Sequence, residues 1–197
     1  MDEEGSIEMR DVVKVPGDRI GAVLGRKGRT RRKIERAADV KIRVDSESGE
    51  VEILGGSTTL PENFYKARLV VQAIGRGFDD RSAMELFADD RYIEVIDLTD
   101  LVGRSPPALR RQRARLIGRG GSARKKLEIL TGTKIRVYGK TVSIIGDEEG
   151  ITTARRAVER LVGEGTPHNV VFRDLEMSQR RRKQQRLLRD LGFEVED

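Results

Sequence analysis

At 197 residues the chain has room for two small domains or one of ordinary size, and its net charge of +6 comes with 37% charged and only 4% aromatic residues. It has no cysteine, which excludes a disulfide scaffold, a thiolate nucleophile and zinc sites with sulfur ligands, and suits a reducing compartment. The start MDEEGSIEMR is acidic without an apolar h-region, and no stretch nears the roughly 18 apolar residues of a membrane span, so a cytoplasmic protein with no membrane attachment is expected.

A first strand is predicted over EMRDVVKV, where β-branched and polar residues alternate ahead of Pro16. A short helix follows and ends at the turn Gly25-Arg26-Lys27-Gly28, and a second helix starts directly after it. VKIRV and VEIL then read as a hairpin, and PENFYKARLVVQAIGRGF as a longer helix with Pro61 near its first turn. The acidic segment 79–90 lacks Pro and Gly and carries Met84, Leu86 and Phe87. It is therefore expected to pack, holding its two flanks in one fixed, pseudo-two-fold arrangement.

From residue 91 the same order returns: the strand RYIEVIDL, a helix ending at Gly118-Arg119-Gly120-Gly121, another helix, the strands TKIRV and TVSII, and the helix DEEGITTARRAVERLV with acids at its start. LGRKGRTRRKIERAADVKIRV from Leu24 aligns without a gap on IGRGGSARKKLEILTGTKIRV from Ile117, an offset of 93 residues. The chain thus holds two copies of one unit, residues 7–78 and 91–165. Each has the order β-α-α-β-β-α, an α+β fold with three strands on one side and three helices on the other. The basic tail, residues 166–197, lies beyond the repeat, with RRRKQQR at 180–186 and Leu187, Leu188 and Leu191 at helical spacing. It binds RNA, docks on a protein or packs through its leucines, and the sequence leaves these three open. His168, the only histidine, reads as a loop residue.

Charge points to the partner. Residues 104–126 carry nine Arg or Lys and no acid, and residues 26–36 seven basic residues against Glu35, whereas residues 79–100 carry eight acids against two Arg. A thermophile's surface would account for abundant charge but not for this clustering, and nucleic acid is the first candidate. Glycine has no Cβ to hold a ligand away, so a sugar-phosphate backbone can approach Gly25, Gly28, Gly118, Gly120 and Gly121. The helix that starts there favours an anion. Arg29, Arg31, Arg32 and Lys33 crowd the first of these helix starts, and Arg124, Lys125 and Lys126 the second. Cations there oppose the helix dipole by a few tenths to about 1 kcal/mol each, so folding alone does not explain them. With Arg26, Lys27 and Arg119 inside the loops they form the candidate phosphate-binding set.

The Ile/Leu-Gly-x-x-Gly run, the apolar residue six positions on and the Lys-Ile-Arg-Val strand, all twice repeated, resemble the eukaryotic-type (type I) KH domain. More narrowly, AIGRGF before the acidic stretch and YIEVIDL after it resemble the partner-of-Nob (Dim-two) family, tandem-KH factors of pre-ribosomal RNA processing, in its archaeal form. The resemblance implies a monomer that clamps about four nucleotides of single-stranded RNA per loop. Its groove walls would be Ile20, Val23, Leu24, Ile34 and Ile42 in the first copy, and Leu116, Ile117, Leu127 and Ile135 in the second. It also implies small-subunit pre-rRNA near its 3′ end as target and a Nob-type endonuclease as partner. An RNA-binding adaptor in translation or RNA decay is the alternative. Without cysteine, a histidine pair or a compact carboxylate cluster, no catalysis, metal or cofactor is expected.

Overall fold

The structure, a computed structural model, describes residues 8–190, without the side chains of residues 186 and 188–190. Ile7, at the expected start of the first copy, Leu191 and the side chain of Leu188 lie outside the described residues. The chain divides into two compact units between Val95 and Ile96.

The first unit runs β1 (Met9–Lys14), α1 (Gly17–Leu24), α2 (Arg29–Ala38), β2 (Val40–Val44), β3 (Glu50–Gly55), α3 (Pro61–Gly75) and α4 (Asp80–Met84). Its antiparallel sheet has the order β1-β3-β2, with Ile42 opposite Ile53 and Val51 opposite both Val13 and Val44. The last strand of the hairpin is therefore central and β2 is an edge. Proline at N1 opens α3, whose Ala67, Val70, Val71 and Ile74 are all fully buried. These positions recur at the spacing of a single helix face, and α3 packs on α1, α2 and the sheet.

Segment 79–90 is folded against this unit. The Asp79 carboxylate caps α4 by accepting the Ser82 N–H at 2.9 Å, and a 3-10 turn at Glu85–Phe87 follows. Ala83 and Leu86 are buried, and both short elements pack on α3. Lys66 of α3 donates to the Phe87 carbonyl at 3.2 Å and to Asp89 at 2.7 Å, and its ammonium holds the Asp89 carboxyl below the usual range.

The second unit contains β4 (Tyr92–Asp97), α5 (Leu98–Val102), α6 (Pro106–Ile117), α7 (Ser122–Thr131), β5 (Lys134–Tyr138), β6 (Thr141–Gly146), α8 (Glu148–Val162) and α9 (His168–Asp190), with sheet order β4-β6-β5. The division between units falls inside β4. Where the first unit has one helix ahead of its loop, this one has two, since Gly103 at φ 75° and the Ser105-Pro106 step break the run. Asp97 caps α5 by accepting the Thr99 hydroxyl and N–H at 2.7 and 2.9 Å. These bonds, with the Lys140 ammonium, lower its carboxyl to about 2. Asp147 caps α8 by accepting the Gly150 N–H at 2.7 Å.

The tail is not separate from this unit. Helix α9 packs on α7 and α8 and sends Val171 and Leu175 into the core. Its start is anchored as well: Arg115 donates to the Gly165 and Thr166 carbonyls, and His168, a helix residue rather than a loop residue, lies 3.0 Å from the Arg115 carbonyl. Lys126 sits 4.9 Å over the Phe172 ring. Packing thus comes from the near end of the helix, while Leu187 is 58% exposed. Leu175→Ala should therefore cost about 2–4 kcal/mol of unfolding free energy, and Leu187→Ala should stay within about 0.5 kcal/mol of wild type. Urea titration followed by circular dichroism reads both, and the opposite ranking would move the packing to the leucine edge.

Candidate nucleic-acid interface

The two loops have one backbone conformation. Gly25 and Gly118 adopt φ 69°, ψ 171° and φ 71°, ψ 174°, a region essentially reserved for glycine. A Cβ on Gly25 would stand 2.7 Å from the Thr30 amide nitrogen, and one on Gly118 equally close to that of Ala123. The first glycine of each turn is therefore demanded by the next helix of the chain itself. Gly28 and Gly121 are left-handed at φ 71° and 80°, with space where a Cβ would be.

The loop tips differ. Gly120 takes φ 58°, ψ 21°, and Lys27 takes nearly the same left-handed conformation at φ 53°, ψ 35°. For a residue with a side chain this costs about 1–2 kcal/mol. The first loop carries that strain and gains a cation at its tip.

Several amides at the helix starts are used inside the turns. Gly28 N–H donates to the Gly25 carbonyl at 3.1 Å and Gly121 N–H to the Gly118 carbonyl at 3.2 Å. Arg29 and Ser122 likewise donate to the Arg26 and Arg119 carbonyls. Attraction for an anion rests on the helix dipoles and the side chains around them. Arg26, Lys27, Arg29, Arg32, Arg119, Gly120 and Lys125 are exposed. Arg31 and Arg124 are half-buried and turn toward Glu35 and Glu128 one turn along, at 3.7 and 3.4 Å. Lys33 and Lys126, equivalent positions, are engaged elsewhere: Lys33 lies 3.6 Å from Asp80 of α4 and Lys126 2.8 Å from Glu176 of α9.

The apolar walls need correction. Ile42 and Ile135 are each 2% exposed, because they lie on the inner face of their edge strands and fill the cores. Ile20, Val23, Ile34, Leu116 and Leu127 are buried too. Only Leu24 and Ile117, immediately before the first glycine of each loop, keep partial exposure. The backbone N–H of Ile42 and that of Ile135 instead each meet a side chain that the sequence reading missed. Ile42 N–H donates to Glu35 at 3.0 Å, and Ile135 N–H to Glu128 at 2.7 Å. The signal was present, since both glutamates occupy one position of the repeat. Among the described residues no group of three or more His, Asp or Glu side chains could hold a metal, and no helix is long and apolar enough to cross a membrane.

Comparison with known proteins gives two family matches. Residues 10–60 match the KH domain, and residues 92–180 match the eukaryotic type KH-domain (KH-domain type I) in the form of the second domain of PNO1. A KH domain-containing protein of Methanocaldococcus jannaschii is 38% identical over 177 residues, covering 89% of this chain and 77% of that protein. The crystal structure of Dim2p from Pyrococcus horikoshii superposes with a TM-score of 0.80 at 43% identity, covering 86% of this chain and 99% of that one. A chain of the a/eIF2alpha–aDim2p–rRNA complex from the same organism gives a TM-score of 0.81 at 42% identity, with coverages of 87% and 94%.

The loop geometry separates two kinds of substitution. Gly25→Ala and Gly118→Ala should each lose upward of about 2 kcal/mol, because a Cβ meets the backbone of a helix start in a disallowed conformation. Lys27→Gly should leave stability unchanged or raise it by up to about 1 kcal/mol, since relief of strain outweighs or offsets the added freedom of the unfolded chain. Thermal and urea melts of the three variants check this, and a Lys27→Gly protein clearly weaker than wild type would show the tip to be unstrained.

Proposed function

Because this chain belongs to the type I KH proteins, as a tandem member of the Dim2/PNO1 kind, we propose that it is a noncatalytic factor that holds single-stranded pre-ribosomal RNA of the small subunit, near its 3′ end, during maturation. The observation that carries this reading is the pair of superimposable glycine turns, each exposed and each set against a helix that opens with cations instead of acids. Such a turn admits a sugar-phosphate chain edge-on, and the scarcity of aromatic residues suits grooves that do not stack successive bases on rings. For an RNA strand that reaches both clamps the second contact is intramolecular, and modest individual affinities then multiply. The Pyrococcus relative with rRNA in its crystal supports ribosomal RNA as the target, and its companion a/eIF2alpha supports a second role, as an adaptor to a translation factor. A Nob-type endonuclease is the expected processing partner, and the protein acts as a monomer.

Arg26→Asp with Lys27→Asp, and Arg119→Asp with Gly120→Asp, should each weaken binding of single-stranded RNA by about ten-fold or more, while the first pair melts near wild type and the second loses no more than about 1–2 kcal/mol, the cost of a side chain at the left-handed tip. The log of wild-type affinity should fall against log salt with a slope of roughly 0.7 per phosphate neutralised, and the variants should give shallower slopes. Unchanged affinity in both double variants would remove the loops from the site. Sequencing the RNA that copurifies from cells distinguishes the two roles: precursor spanning the 3′ end of the small-subunit RNA supports processing, and a spread of messenger sequences supports the adaptor.

A further inference from the structure

Helix α9 outruns the unit that it closes. It has 23 residues, about 34 Å, against 15 residues for α8. The two run antiparallel: Arg160 near the end of α8 donates to Asp174 at 2.9 Å, and Arg182 reaches Glu149 at the start of α8 at 2.8 Å. Packing by Val171 and Leu175 ends in the first half of α9. From Met177 to Gln185 every side chain is exposed except that of Arg182. Arg180, Arg181, Arg182 and Lys183 follow one another, so at about 100° per residue they leave the helix on all sides, and no acid stands between Glu176 and Asp190.

A groove lies on each flank of this segment. On one side Arg180 and Lys183 face the end of α7, Ile129 to Gly132. On the other, Arg181 faces Arg156 and Arg160 of α8. The neighbouring acids are committed, Glu149 to Arg182, Asp174 to Arg160 and Glu176 to Lys126. Arg156, Arg180, Arg181 and Lys183 are all exposed. Compensation of the α7 dipole would favour a donor near its last carbonyls, and the Gln179 amide donates to the Ile129 carbonyl at 3.5 Å. That does not account for Arg181 and Arg156, which stand on the opposite flank. The first unit has no counterpart, since the segment that follows α3 is acidic.

We propose that the far half of α9 is a ridge for double-stranded RNA, seated on the wide, shallow minor groove of an A-form stem with one phosphate strand along each flank. The site is separate from the glycine loops and goes beyond the single-strand reading above. A rigid rod about 10 Å across with cations on opposite sides is not neutralised by one strand lying along one side, whereas the two strands of a stem bracket it. Between the cations stand Gln179, Gln184 and Gln185, exposed amides that both donate and accept, as 2′-hydroxyls do. Exposed apolar residues on this half are Met177 and Leu187, ten positions apart, which gives a protein partner little to bury and leaves charge as the main attraction. Helix α7, ten residues and about 15 Å long, starts at the Gly118–Gly121 turn and ends at the ridge, so a strand held at the turn can run on into a stem.

The test uses the full chain and three labelled probes: a blunt RNA duplex of about 16 base pairs, the DNA duplex of the same sequence, and an unpaired RNA of about ten nucleotides. Fluorescence anisotropy should show the RNA duplex bound at least about five-fold more tightly than the DNA duplex, which lacks the A-form groove and the 2′-hydroxyls. Arg181→Gln with Lys183→Gln should weaken duplex binding about ten-fold and lower its salt slope by roughly 2, while affinity for the unpaired RNA changes by less than about two-fold. The four loop substitutions above, combined in one chain, should do the reverse. If the α9 variant loses helix content by circular dichroism, Arg156→Gln, which leaves α9 untouched, should still weaken duplex binding about three-fold. Wild type that does not bind the duplex, equal affinity for RNA and DNA duplexes, a loss shared by the unpaired RNA, or duplex affinity unchanged in both the α9 and Arg156 variants would overturn the assignment. Polyglutamate bound more tightly than the duplex would give the ridge to an acidic protein segment and overturn it as well. Wild type that binds the duplex but not the unpaired RNA would sink the loop reading and leave the ridge standing.

Discussion

One steric constraint shapes both sites: a helix must end and the next begin across four residues, and the first of those residues has no room for a β-carbon. At Gly25 and Gly118 that room is occupied by the backbone of Thr30 and Ala123. The exposed two-residue tip, the direction of the following helix and the placement of basic side chains on its first turn all follow from this close approach. A nucleotide backbone exploits a surface that the chain needed first for its own connectivity. Glycine is thus required twice over, by the fold at the first position and by the left-handed backbone at the fourth.

Electrostatics shows where function overrides folding. Helices α3, α4, α5 and α8 carry acids in the first turn, the arrangement that the helix dipole favours. Helices α2 and α7 have none there, and basic residues crowd those turns instead. With Asp18 in the first turn of α1, the dipole rule is followed at five of the described helices and reversed at the two that leave the glycine turns. Not every cation in these runs is available to a ligand, since Lys33 and Lys126 each clasp the last helix of their own unit, through Asp80 and Glu176. The Lys126 ammonium lowers the Glu176 carboxyl accordingly.

Much of this was legible in the sequence because the unit is written twice. The repeat located both turns, the hairpins and the long closing helices. Burial was harder to read: Ile42 and Ile135 look like groove walls in a motif, but alternation along an edge strand sends their side chains inward. The tail was ambiguous because its leucines drew attention to the far end of α9, while Val171 and Leu175, weak signals in a polar context, do the packing. The roles of Glu35 and Glu128 needed three dimensions, since a helix residue and a strand residue seven positions later meet only after the turn between them is closed.

The way α9 completes the second unit has a consequence for vectorial synthesis. Val171 and Leu175 belong to the same core as Leu98, Leu116 and Ile144, so a nascent chain that has exposed only the elements from β4 to α8 still lacks part of its interior. The first unit has all of its buried apolar residues by Leu86 and is ready to close while the second is still being translated. The half that contains the cation-flanked ridge of α9 therefore matures last.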